Sequence, residues 1–89
     1  MPPGNTKDAL TIALDAIAWT LADDDRATRL IALTGIAPDA LRRRLGEPAV
    51  LAAALTFLEA NERDLIACAA ATGHPPESLV TARCALEAA

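Results

Sequence analysis

The sequence predicts an all-α fold, a compact six-helix globule built as two tandem three-helix units with pseudo-two-fold symmetry. Three observations predict it. Alanine supplies 22 of the 89 residues and leucine 13, against two valines and no tyrosine. Ordering an alanine costs no side-chain entropy, which makes it the best helix former, and strand-favouring residues are too few to build a sheet. Glycine and proline punctuate the chain at Gly35, Pro38, Gly46, Pro48, Gly73, Pro75 and Pro76, at intervals that suit short rods. Finally, the chain overlays itself when shifted by 38 residues, Thr34 falling on Thr72.

Each element follows from local chemistry. Residues 1–5, with Pro2, Pro3 and Gly4, are expected to form a disordered tail, and 6–89 a single helical domain with repeat units at about 6–46 and 47–89. Asn5 or Thr6 is suited to cap the first helix, and Asp8 lies in its first turn. Leu10, Leu14, Ile17 and Leu21 recur on one helical face, widened by Ile12, Ala16 and Trp19. The acidic run Asp23-Asp24-Asp25 interrupts that pattern where a second helix should begin. Ala27, Leu30, Ile31 and Thr34 carry the second helix to a stop at Gly35. Pro38 opens a third, because its missing N–H would be unpaired in a first turn anyway. Leu41 and Leu45 are its expected buried pair and Gly46 its end.

Pro48 opens the fourth helix, with Glu47 placed to cap it or to favour its N-terminus. Val50, Leu51, Ala54, Leu55, Phe57 and Leu58 give this helix a broad apolar surface, so it should be the most buried. Asn61 ends it and caps a fifth, with Asp64 three residues on. Leu65, Ile66, Cys68, Ala69 and Thr72 lead that helix to Gly73. Pro75 and Pro76 open the sixth, with Leu79, Val80, Arg83 and Leu86 expected inward and the Arg83 head in water.

The 38-residue shift superposes Thr34-Gly35-Ile36-Ala37-Pro38-Asp39-Ala40-Leu41 on Thr72-Gly73-His74-Pro75-Pro76-Glu77-Ser78-Leu79. The shared pattern, T-G-x-x-P-[DE]-[AS]-L, is a helix-to-helix joint. Glycine closes one helix in the left-handed conformation, two residues turn the chain, and proline starts the next. The carboxylate then sits at the positive end of the new helix, and leucine is the first side chain to reach the core. Ile12 falls on Val50, Ala16 on Ala54, Ile17 on Leu55 and Trp19 on Phe57 under the same shift. Self-similarity at one period is the mark of a repeat, and two units are too few for an open solenoid.

Composition narrows the function classes. Eight basic residues against twelve acidic ones give a net charge of −4. Phosphate neutralisation supplies most nucleic-acid affinity, so this field argues against a nucleic-acid binder. Seven arginines to one lysine, with abundant alanine, fit a GC-rich bacterial genome. No apolar run reaches the roughly 20 residues that span a bilayer, and the N-terminus does not resemble a signal peptide. Two cysteines, Cys68 and Cys84, are too few for a disulfide framework, so a cytoplasmic protein with reduced thiols is expected.

The side chains that could carry chemistry are few. Arg42-Arg43-Arg44 is the basic cluster, fanned over the side opposite Leu41 and Leu45. It could contact a phosphate or an acidic partner, or simply complement a helix C-terminus. Asp23-Asp24-Asp25 lacks the alternation and the bend glycine of a calcium loop, and reads as capping. His74 lies in a turn between Gly73 and Pro75 with no partner motif for catalysis. Cys68 and Cys84, on the fifth and sixth helices, could face each other but read as inert buried thiols. Trp19 and Phe57 read as core aromatics. The dinucleotide, P-loop and nucleophile-elbow motifs are absent, and no cofactor or metal site is expected.

The run Leu30-Ile31-Ala32-Leu33-Thr34-Gly35, the joint Pro38-Asp39-Ala40-Leu41, the segment Leu55-Thr56-Phe57-Leu58 and the pair Asp64-Leu65 resemble a family of small alphaproteobacterial helical proteins. That family is catalogued only as a domain of unknown function, family 3572. The resemblance extends from about Ala9 to Leu86 and implies a compact helical bacterial protein, with no activity, ligand or catalytic residue to transfer. The resulting expectation is a non-enzymatic protein–protein interaction or small regulatory module, acting on an unknown protein partner or on itself. A nucleic-acid-associated regulator using Arg42, Arg43 and Arg44 is the alternative.

Overall fold

Helix boundaries in the computed structural model, which describes residues 6–88, follow the capping chemistry closely. The elements are α1 (Thr6–Leu21), α2 (Asp24–Thr34), α3 (Pro38–Arg43), α4 (Pro48–Glu59), α5 (Glu62–Thr72) and α6 (Pro76–Glu87), and the described residues contain no strand. The tail expected at 1–5, and with it a cap at Asn5, lies outside the described residues. Asp23 caps α2, accepting from the Arg26 amide at 3.1 Å. Asn61 caps α5 in the same way, accepting from the Asp64 amide at 3.2 Å. Each cap satisfies one of the amides that a helix N-terminus leaves unpaired.

The two joints share their geometry. Gly35 and Gly73 have φ of 72° and 78°, the left-handed region that a Cβ disfavours. The Thr34 hydroxyl donates to the Leu30 carbonyl, and the Thr72 hydroxyl to the Cys68 carbonyl, each at 2.8 Å. Pro38 and Pro76 each open the helix that follows.

Packing centres on α1, α4 and α6, which lie against one another, with α2 and α5 on the flanks. As expected, α4 is the most buried, hiding Val50, Leu51, Ala52, Ala54, Leu55, Phe57 and Leu58. From α1 the core receives Ala9, Ala13, Ala16 and Ile17, and from α6 Leu79, Ala82 and Leu86. Fully burying one such leucine contributes roughly 1.5–3 kcal/mol. The Cα radius of gyration is 11.8 Å, close to the roughly 12 Å of a compact chain of this length. Among the described residues no helix is long and apolar enough to cross a membrane.

Four sequence expectations are corrected. Leu14 is 42% exposed, whereas Ile17 of the same line is buried together with Ala9, Ala13 and Ala16, whose small side chains let helix axes approach closely. Ile66 is also exposed, although Cys68 and Ala69, named with it, are buried, and Asp64 is buried beside them. α3 stops at Arg43 rather than Gly46, the Arg44 amide donating back to Ala40 and Leu41 as the chain turns toward Pro48. Glu47 does not cap α4 with its side chain, because its carboxylate takes the Arg44 guanidinium at 3.0 and 3.2 Å.

Candidate functional site

Small residues at helical spacing create a concavity on the surface. Ala49, Ala52, Ala53 and Thr56 follow one another on one side of α4. None reaches far enough to fill the space between α2 and α6. The result is a groove of about 750 Å³ with α4 as its floor. Leu33 and Thr34 at the end of α2 form one wall, continued by Ile36, and Leu86 and Glu87 at the end of α6 form the other. Leu33 stands on the lip with 61% of its surface exposed. From Pro48 to Leu58, α4 carries no ionisable side chain, although Ala49 and Thr56 face solvent.

Charge at the groove is confined to one ionisable lining residue, Glu87. Arg83 donates to it at 2.6 Å and also to Glu59 of α4, so the α6 wall is tied to the floor helix. The head of Arg83 is therefore spent on two carboxylates, and water is not its main partner as the sequence suggested.

The arginine cluster lies elsewhere, at the end of α3. Arg42 pairs with Asp39 at 3.3 Å and Arg44 with Glu47, while Arg43 meets no carboxylate among the described residues. All three are exposed, so they are presented outward as expected, but two of the three charges are already matched.

The remaining polar residues serve structure. Arg26 donates to the Trp19 carbonyl at 2.7 Å and lies over the Trp19 ring, 3.7 Å from its centroid. Trp19 is thus half-buried under a guanidinium, whereas Phe57 is a core residue. Arg29 bonds to Asp64 at 2.7 Å, joining α2 to α5 between residues 35 apart in sequence. Asp23 is a cap, and the Arg26 amide it accepts holds its carboxyl below the usual range.

Two sequence expectations about His74 and the thiols need revision. His74 does have a partner, its Nε2 lying 2.9 Å from Asp15 of α1, a contact between residues 59 apart in sequence that no local motif announces. Cys84 is exposed while Cys68 is fully buried, so the two thiols do not share an environment. Burial pushes the Cys68 thiol up to about 11, which leaves almost no thiolate at neutral pH. Among the described residues no three His, Cys, Asp or Glu side chains gather as a metal ion would require.

Fold and groove together define a small all-α domain with a concave face whose one ionisable lining residue, Glu87, is bonded to Arg83. The chain belongs to the family described as Protein of unknown function (DUF3572), which matches over residues 6–89. No curated protein and no solved structure matches it.

Proposed function

We propose that this protein is a non-enzymatic interaction module that receives the apolar face of a helix in the α2–α4–α6 groove. The observation that carries this reading is the groove itself: alanine-floored, lined by one ionisable residue that is already paired, and lipped by an exposed leucine. An alanine floor lets a docking helix approach closely, and helix-in-groove binding anchors apolar side chains at helical spacing. Support for a non-enzymatic role comes from the groups most able to do chemistry. Cys68 is buried with its thiol pushed up, and His74 is tied to Asp15, away from the groove lining. Nucleic-acid binding through Arg42, Arg43 and Arg44 has less support, because Asp39 and Glu47 offset two of the charges. A bacterial cytoplasmic setting fits the two free cysteines and the arginine- and alanine-rich composition, the latter in keeping with an alphaproteobacterial source.

A photo-crosslinking side chain placed at Ala53 in the native host is expected to trap protein adducts, and one placed at Arg43 to trap none. Adducts from position 43 alone, or from neither position, would sink the reading.

A further inference from the structure

We propose that the helix received by this groove is basic: an amphipathic helix of another protein whose apolar stripe is flanked by lysine or arginine. The inference rests on the groove being a docking surface and names the chemistry of its occupant. Charge complementarity carries it. Glu87 lines the groove, and Glu59 follows Thr56 of the floor on the same helix. Arg83 is bonded to both carboxylates, and among the described residues no other cation pairs with either. Two carboxylates thus share one guanidinium, and the α6 edge of the groove keeps a negative surplus. The other ion pairs around the groove balance one to one. Arg29 of α2 takes Asp64, and Arg44 takes Glu47 just ahead of Pro48.

The backbone adds to the same sign. Both walls are C-terminal helix ends, α2 finishing at Thr34 and α6 at Glu87, and neither helix has a basic residue in its last turn. A helix C-terminus carries a partial negative charge, felt within about one turn. The N-terminus of α4 at Pro48 supplies one opposite end, so two negative ends face one positive end. Around this face the whole chain carries −4, which steers cations toward it. A helix with acidic flanks is repelled here, and an uncharged one gains nothing from the surplus carboxylate. Lysine or arginine beside the apolar stripe matches it, the stem lying along the apolar rim while the head reaches Glu59 or Glu87. A second copy brings a further −4 in place of the missing cation.

Fluorescence anisotropy of two labelled synthetic helices, titrated with the full chain, tests this. Both peptides carry leucines at helical spacing; one has lysines beside the stripe and the other glutamates. The lysine peptide should bind roughly 10-fold tighter or more at low salt, and its Kd should rise with added salt. Glu87→Gln, at an exposed helix end, should raise that Kd roughly 2–5-fold, and Arg83→Gln should lower it by a similar factor. Glu77→Gln makes the same change of charge in the first turn of α6, roughly 15 Å away along the helix, and should leave the Kd unchanged. Ala53→Gln lays a longer side chain over the floor and should weaken both peptides. Failure of the lysine peptide to bind overturns the proposal. So does a Glu77→Gln effect as large as that of Glu87→Gln, which would report overall charge alone. A chain that sediments as a dimer by itself, and that Ala53→Gln dissociates, would seat a second copy in the groove and overturn it too. Equal binding of the two peptides, weakened alike by Ala53→Gln, keeps the groove as a docking surface and removes only its preference for a basic partner.

Discussion

α3 and α6 each follow a joint of the same T-G-x-x-P pattern, yet one is six residues long and the other twelve. Both begin with proline, carry an acidic residue in the first turn, and bury a leucine three residues on, Leu41 and Leu79. Their fates diverge at the other end. The chain after Arg43 has to turn within a few residues because Pro48 begins α4, and Arg44 and Glu47 close that turn with a bidentate pair. α6 meets no such demand and runs on to Glu87, laying Ala82 and Leu86 against α1 and α4. The same opening thus gives a connector after one joint and a core helix, with one wall of the groove, after the other. The shared joint pattern supplies similar starts, and packing decides how far each helix extends.

That contrast can be tested where it should be greatest. Leu79→Ala removes a fully buried side chain from the centre of the core and should cost about 4 kcal/mol. Leu41→Ala, beneath a two-turn connector able to collapse, should cost about 2 kcal/mol in the same urea titration. Equal losses would mean that α3 is as integral as α6. The joints should show the opposite behaviour. Gly35→Ala and Gly73→Ala each force a Cβ into the left-handed region with nothing within 4 Å to clash, so each should cost a similar roughly 1–2 kcal/mol. A marked inequality between them would show that the joints are not equivalent.

Acid should separate α2 from α5 more gently. α2 is capped by a carboxylate, Asp23, and α5 by an amide, Asn61. The Arg26 amide lowers the Asp23 pKa in the folded chain. A lowered folded pKa adds stability above the unfolded value, and this is lost as pH falls through the folded one. Glu47, lowered by the Arg44 guanidinium, acts in the same direction. Asp23→Asn keeps the cap but removes its titration, so stability near pH 7 should be little changed and the loss on acidification shallower. An unchanged acid limb in thermal melts would exclude Asp23 as a contributor. The smallest effect is expected on α3, where Arg42→Glu with Arg43→Glu should barely move the melting midpoint. Neither that variant nor the parent chain should shift labelled duplex DNA at low salt; clear retention of duplex by the parent alone would restore the basic cluster as a binding site.

Much of this was legible in the sequence because it is local. Asp23, Gly35, Pro38, Pro48, Asn61, Gly73 and Pro76 mark helix starts and stops through their own φ preferences or through hydrogen bonds reaching two or three residues. The inward side of α1 was legible in part: Ala16 and Ile17 are buried as the spacing implied, but Leu14 is exposed while Ala9 and Ala13, which the leucine spacing did not mark, are buried. The His74 contact with Asp15, the Arg29 bond to Asp64 and the Arg83 link to Glu59 join residues far apart in the chain, and no spacing rule pairs them. The groove was legible only as a shortage. The uncharged run from Pro48 to Leu58 shows that α4 has little to offer water, without showing which neighbours leave one side of it open.

By itself, then, the sequence determined where α2 to α6 begin and that the described residues fold as helices joined by turns, because caps, proline rings and left-handed glycines act within a turn of backbone. Only the tertiary structure decided which side of each helix is buried, how far α6 extends, and that Leu33 is left standing beside an alanine floor. Those outcomes depend on how remote helices compete for the same apolar surface.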